Sequence, residues 1–254
     1  MVIHRVRSQG VKNSRAVNTT INRIRTRDRR LYTWVAVFFP IIVLIGFART
    51  YYLKGFFGTP ALPSLLVHLH GLIMTSWVVL FVAQVSLVAT RRTKMHQRLG
   101  VGGGILAALV VIVGVLTARA AAARGAAPPG VGALQFLVVP LGDMVVFAIL
   151  IGVALHFRRK LEAHKRLMLI GAVSLLTPAI ARIPLSFIET GGPLVFFGLS
   201  DLCLLACVAV DTYKNRKLHP VIVWGTLLII VSQPLRIMLA GTDAWMRFAT
   251  WFVS

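Results

Sequence analysis

Acidic residues are scarce in this chain, with seven Asp and Glu in 254 residues against 28 Lys and Arg. With so few carboxylates, no paired catalytic glutamates appear, nor does an HExxH, Walker or ordered Ser-His-Asp pattern. Cysteine is rarer still. Two in the whole chain exclude a disulfide scaffold and a zinc-ribbon site. Charge of either sign is also short, at 14% of residues, where a soluble domain carries about a quarter. What fills the space is apolar: 57% of residues are hydrophobic and the mean hydropathy is +0.80. Such a chain cannot cover itself with polar surface in water, so its medium is a membrane.

A bilayer-crossing helix needs about 20 mostly apolar residues. Seven segments qualify: Leu31 to Ala48, Ser64 to Thr90, Leu99 to Ala118, Leu134 to Phe157, Arg166 to Pro184, Pro193 to Thr212 and Pro220 to Ala240. Gly58-Thr59-Pro60, Ala127-Pro128-Pro129-Gly130 and Gly191-Gly192-Pro193 punctuate them. No intervening stretch is long enough for a soluble domain. The predicted fold is therefore all-α, an integral membrane bundle of seven transmembrane helices. A basic tail over 1–30 precedes the helical domain over 31–240, and an interfacial tail over 241–254 follows it. The first apolar run begins after some 30 basic residues and has no small-residue cleavage site behind it. The expectation is a cytoplasmic tail rather than a cleaved signal peptide.

Orientation follows from where the cations fall. Of the 28 Lys and Arg, 21 lie in the first 30 residues and in the loops after the second, fourth and sixth segments. Five lie on the other side (Arg49, Lys54, Arg119, Arg124 and Arg247), and Arg182 and Arg236 fall within segments. This predicts a bacterial inner-membrane protein with a cytoplasmic N-terminus and an extracytoplasmic C-terminus. The net charge of +21 then has an ordinary partner in anionic lipid headgroups, at about 1 kcal/mol per basic residue. Nucleic acid is not expected, because the basic tail lacks a recognition fold and base-stacking aromatics. Tyr51, Tyr52, Phe56 and Phe57 occupy the first outer loop, and Trp245, Phe248, Trp251 and Phe252 crowd the C-terminal tail. Both sets suit the headgroup level, the tail as an interfacial helix.

The loops leading into the third and fifth segments repeat one pattern. Arg91-Arg92 matches Arg159-Lys160, His96 matches His164, Arg98 matches Arg166, Leu99 matches Leu167 and Gly103 matches Gly171, each pair 68 residues apart. A weaker copy, Arg216-Lys217-Leu218-His219, precedes the seventh segment. The simplest architecture is one helix followed by three hairpins, built by hairpin duplication. Repeats of this sort place binding sites at their interface.

Ionisable residues inside a bilayer are costly and count first as functional candidates. His68, His70, Asp143, Arg182, Asp201 and Arg236 all fall in the outer half of the predicted bundle. Asp143 lies some nine residues inside its helix, about 14 Å. Pro140, Pro178 and Pro234 each precede one of these charges within a turn, and a helix-interior proline frees a backbone carbonyl. Local helix breaks at Asp143, Arg182 and Arg236 are therefore expected. Two readings stand. One is a wet pocket lined by His70, Asp143, Arg182, Asp201 and Arg236. The other is a pair of interhelical Asp–Arg salt bridges that fix packing, with Asp143 and Arg182 as one candidate pair.

Histidines offer a second constellation. His68 and His70 differ by about 200° around a helix and chelate together only if the backbone unwinds. His70 is the preferred inward residue because Gly71 admits a neighbouring helix. His96, His156, His164 and His219 share the inner boundary, where imidazoles either bind haem or a transition metal or anchor the loops at the headgroups. Cys203 and Cys207, one turn apart, read as small apolar residues. Gly100, Gly102, Gly103 and Gly104 follow no strand, so they suit helix packing rather than a nucleotide. Glu189 reads as a solvated loop acid.

The run His70-Gly71-Leu72-Ile73-Met74, with Trp77 following, resembles the ascorbate-reducible di-haem transmembrane cytochrome b family. That family also opens a core helix with a His-Gly pair and carries later helix-end histidines. The resemblance covers about a fifth of the chain and implies haem b, with His70, His96 and His164 as candidate ligands. The chain departs from it in having outer-face histidines on the second helix only, so that Met74 or Met144 would have to complete an outer pair. His164-Lys165-Arg166-Leu167-Met168 and Ser232-Gln233-Pro234-Leu235-Arg236 are similar to uncharacterised bacterial seven-helix multi-pass membrane proteins, a likeness that implies no activity. The leading expectation is a ligand-binding or transport-related protein with its pocket in the outer half. The alternatives are a haem b or metal-binding redox protein using His70, His96, His156, His164 or His219, and a structural membrane protein without a ligand.

Overall fold

A computed structural model describes residues 31–254; the basic tail over 1–30 and its lipid contacts lie outside the described residues. Every regular element among the described residues is helical. α1 (Leu31–Tyr52) widens into a π-helical turn over Ala48–Tyr52. α2 (Leu65–Ala89) and α3 (Thr93–Ala123) form the first hairpin. α4 (Ala133–His156) follows, then α5, which opens at Leu161–Val173. α6 (Ser186–Asn215), α7 (Pro220–Ala240) and a short α8 (Asp243–Val253) complete the chain.

Six of these helices, α1 to α4, α6 and α7, are long and apolar enough to cross a bilayer. Their outward faces are apolar: Val79, Ile105, Leu202 and Trp224 are each more than 60% exposed. In water that surface would drive aggregation, while in lipid it is the expected face. The chain is an α-helical membrane bundle.

α5 differs from the continuous segment predicted over Arg166 to Pro184. It starts at Leu161, tightens into a 3-10 turn at Ser174–Leu176 and ends in the α-helical turn Thr177–Ile180. Pro178 is the cause, since its missing N–H and its ring leave the carbonyl four residues back without a helical partner. α5 is also the core of the bundle. It packs against α4, α6 and α7, and Leu169, Ile170, Ala172 and Ala179 are fully buried. α1 closes the remaining side, where Gly46 lies against the backbone of Ala179 with no room for a Cβ.

The other two prolines act unequally. Pro140 interrupts α4 at Leu137, between Ala133–Phe136 and Val138–His156. Pro234 lies inside α7, yet α7 runs unbroken from Pro220 to Ala240, so the break expected at Arg236 is absent. Gly192, at φ 61°, kinks α6 just before Pro193. That left-handed angle favours glycine, and Pro193 then restarts the helix as a preset first residue.

α8 carries the aromatic tail as expected. Thr242 caps it by accepting from Trp245 N–H at 3.2 Å. Trp245 is buried against the start of α4 and its indole donates to the Leu134 carbonyl at 2.8 Å. Trp251 stays exposed on the opposite face, as an interfacial helix requires.

Candidate functional site

Of the polar residues predicted for the outer half, Asp143, Asp201 and Arg236 meet at α7. Ser232, Gln233 and Arg236 project from one turn of that helix toward two carboxylates on different helices. Arg236 Nη1 donates to Asp143 Oδ1 of α4 at 2.5 Å, and Nη2 donates to Ser232 Oγ at 2.7 Å. Both members of the ion pair are nearly buried. Gly142 makes the approach possible, since a Cβ there would overlap the Arg236 side chain. Arg236 Nε is left buried without an acceptor. One turn along, Gln233 Nε2 donates to Asp201 Oδ1 of α6 at 2.8 Å.

Arg182 and His70 stand apart from that pair. Arg182 donates to the Pro178 carbonyl at 2.8 Å and lies over the Phe47 ring at 5.0 Å. It caps the end of α5 and makes no ion pair among the described residues. The suggested Asp143–Arg182 pairing is thus corrected: the partner of Asp143 is Arg236. His70 sits in an unbroken α2, half-buried, with Nδ1 enclosed and unpartnered. His68 is exposed, so the two imidazoles diverge as their spacing predicts. Gly71 does admit a neighbour, the Tyr51 ring from the π-turn of α1.

A second ionic network was not foreseen. Arg166, counted in the sequence among loop cations, is a buried residue of α5. Its Nε donates to Asp211 Oδ2 of α6 at 2.8 Å, and its Nη1 donates to the Glu162 carboxylate at 2.6 Å and to the Glu162 carbonyl at 2.9 Å. Asn215 Nδ2 donates to both oxygens that Asp211 offers, the carbonyl at 2.8 Å and Oδ1 at 3.1 Å. Glu162 also accepts from Lys165 at 2.8 Å. Partial burial pushes the Glu162 carboxyl up, but its bonds to Lys165 and Arg166 outweigh this and hold it below the usual range. With seven acids in the chain, each carboxylate was worth following to a partner. That scarcity was the available signal.

The inner histidines divide. His156 is exposed, edge-on to Phe157. His219 caps α7, its Nδ1 accepting from Val221 N–H at 3.2 Å. Burial, then the charge of Arg166, holds its imidazole below the usual histidine value, against the pull of Asp211 and Glu162. His96 and His164, matched in the repeat, come together with ring centroids 6.5 Å apart. His164 Nδ1 bonds the Ala154 carbonyl at 2.8 Å, so its proton is on Nδ1. The Gln84 amide satisfies its surroundings in one orientation, donating to His96 Nδ1 and to the His96 carbonyl while accepting from Gly100 N–H. That puts the His96 proton on Nε2.

These positions bear on which histidines could act together. His70 opens α2 and His96 opens α3, at opposite ends of a hairpin whose first arm is 25 residues, about 38 Å, so they cannot share a ligand. Between His96 and His164 one Nε2 carries a proton and the other a lone pair. No group of three or more His, Cys, Asp or Glu among the described residues is placed to hold a metal ion.

Comparison with known proteins adds no assignment: the chain matches no protein family, no curated protein and no solved structure.

Proposed function

We propose that this chain is a seven-crossing protein of the bacterial inner membrane that binds a small polar ligand in the outer half of the bundle, in a transport-related role. The three pieces of α5 make the seventh crossing, giving one helix and three hairpins, the first two hairpins related by duplication. The cation bias sets the N-terminus inside and the C-terminus outside, with anionic lipid headgroups against the inner loops. The observation that carries the reading is the α7 turn of Ser232, Gln233 and Arg236, which engages carboxylates from α4 and α6 at one depth. A purely structural role accounts for Asp143 and Arg236, whose charges cancel. It leaves Asp201 unexplained, because an acid held only by a neutral amide adds a cost to packing without a compensating charge.

The test is a thermal-shift screen of the detergent-solubilised protein against amino acids, carboxylates, amines and inorganic phosphate. A true ligand at about 100 times its dissociation constant adds about 2.7 kcal/mol to stability. The expected result is a compound that stabilises the wild type and loses its effect in Asp201→Asn or Asp143→Asn. A panel without any stabiliser, or a shift unchanged in both variants, removes the pocket.

A further inference from the structure

Three aspartates lie within α4 and α6, and their partners differ. Asp143 is held by Arg236 and Asp211 by Arg166, each through a direct ion pair. Asp201 is paired with no cation among the described residues. Its hydrogen-bond partner is the Gln233 amide, itself buried on α7.

The surroundings of Asp201 keep it so. On α7, Arg236 is one turn beyond Gln233, but its guanidinium is committed to Asp143 and Ser232. On α5, Arg182 is the nearest cation in sequence to the outer end, and it is committed to the Pro178 carbonyl and the Phe47 ring. On α6 itself, the next ionisable group is Cys203, a free thiol. Leu202 and Leu205, which follow it in the sequence, face outward to lipid. An acid in that setting has two ways to shed its charge: it takes up a proton or it captures a cation. A single carboxylate and one amide oxygen make a poor cage for a metal cation, which needs several oxygens. A proton needs one.

We infer that Asp201 is a proton-exchange site, with Gln233 as its positioning residue, and that it couples the outer polar site to proton movement. The inference rests on the proposed function for the coupling, while the proton site stands on Asp201 and Gln233 alone. Gln233 Nε2 donates to Oδ1, leaving Oδ2 as the oxygen that gains and loses the proton.

Infrared difference spectroscopy of the full chain in proteoliposomes reads this directly, through the carbonyl stretch of a protonated carboxylic acid. The spectrum of the wild type minus Asp201→Asn is recorded from about pH 5 to about pH 9. Asn keeps the oxygen that accepts from Gln233, so the variant retains its fold. The expected result is a protonated-carboxyl band in the wild type that titrates within this range and is lost completely in Asp201→Asn. Gln233→Leu should move its midpoint, and Asp143→Asn should leave it in place. A difference spectrum without such a band at any pH overturns the proton site. So does a band that persists in Asp201→Asn. Either result leaves the ligand screen above free to succeed. A band without any stabilising ligand would instead keep the proton site and remove the pocket.

Discussion

Arg166 on α5 and Asp211 on α6 form an ion pair at 2.8 Å in which both side chains are 2% exposed. Among the described residues, loss of Arg166 strands Asp211 in the bundle with only Asn215 as a donor, whereas loss of Asp211 leaves Arg166 with Glu162 alone. Arg166→Met or Asp211→Leu should therefore destabilise the bundle by about 3–5 kcal/mol, the range for breaking a buried pair from one side. The double variant should regain at least half of that loss, because it removes both charges at once. Thermal unfolding of the four proteins in detergent measures the cycle. If the double variant is as unstable as the worse single one, the pair does not act as a unit.

The outer pair makes a sharper prediction about partners. Asp143→Arg combined with Arg236→Asp should fold better than either change alone, whereas Asp143→Arg combined with Arg182→Asp should not. Gly142→Ala tests the same contact from the backbone side. A Cβ there overlaps the guanidinium stem, and overpacking of this kind costs about 1–3 kcal/mol. Size-exclusion profiles after heating rank all these variants. Rescue by the Arg182 combination would contradict the geometry.

Hydrophobic run length made the helices legible in the sequence, because it is a property of single segments. Pro140 signalled a break in α4, but the break lies at Leu137 and the helix runs on through Asp143, where it was expected to open. Pairings between helices were not legible. Whether Asp143 meets Arg182 or Arg236 depends on the order of helices around α5, which no local pattern encodes. Arg166 was misjudged for a related reason: a cation at the inner end of a segment looks like a headgroup anchor until a buried acid is found beside it. Gln233 escaped notice as a site residue because it carries no charge, although the carboxylate it holds did attract attention.

Acid should loosen the inner network, through two groups of the same sign. Glu162 has its carboxyl held low, so its bonds to Arg166 and Lys165 contribute fully above about pH 4.3 and fade as pH falls through the lower folded value. His219 is also held low, so the folded chain binds fewer protons than the unfolded one. Stability should then decline as pH drops below about 6.5 toward the folded value. Protonation at Nδ1 would also end its cap on Val221. His219→Asn, which caps without titrating, should flatten the upper part of the melting-temperature profile, and Glu162→Gln the lower part. Unchanged profiles in both variants would place the acid sensitivity elsewhere.

Purified protein should be colourless. The Gln84 amide occupies His96 Nδ1 and leaves the proton on Nε2, which haem iron would have to displace. An ultraviolet–visible spectrum before and after dithionite, with metal analysis alongside, settles this. A stoichiometric Soret band that shifts on reduction would mean that Gln84 releases His96 when haem is bound. The histidines would then outrank the outer cluster as the site.

Every statement about an outer half depends on orientation, which reporter fusions test. Alkaline phosphatase fused after Ser254 should be active, and green fluorescent protein at the same place should stay dark, if the cation bias sets α8 outside. Fusions in the Lys214 to Lys217 turn between α6 and α7 should behave in the opposite way. The basic loops argue for this outcome, since moving three cations through the bilayer against the membrane potential costs about 2.3 kcal/mol per charge for each 100 mV. An active phosphatase at both places would mean that α7 does not cross. Reversed activities would turn the bundle over, and Asp201 with Gln233 would then exchange its proton from the cytoplasmic side.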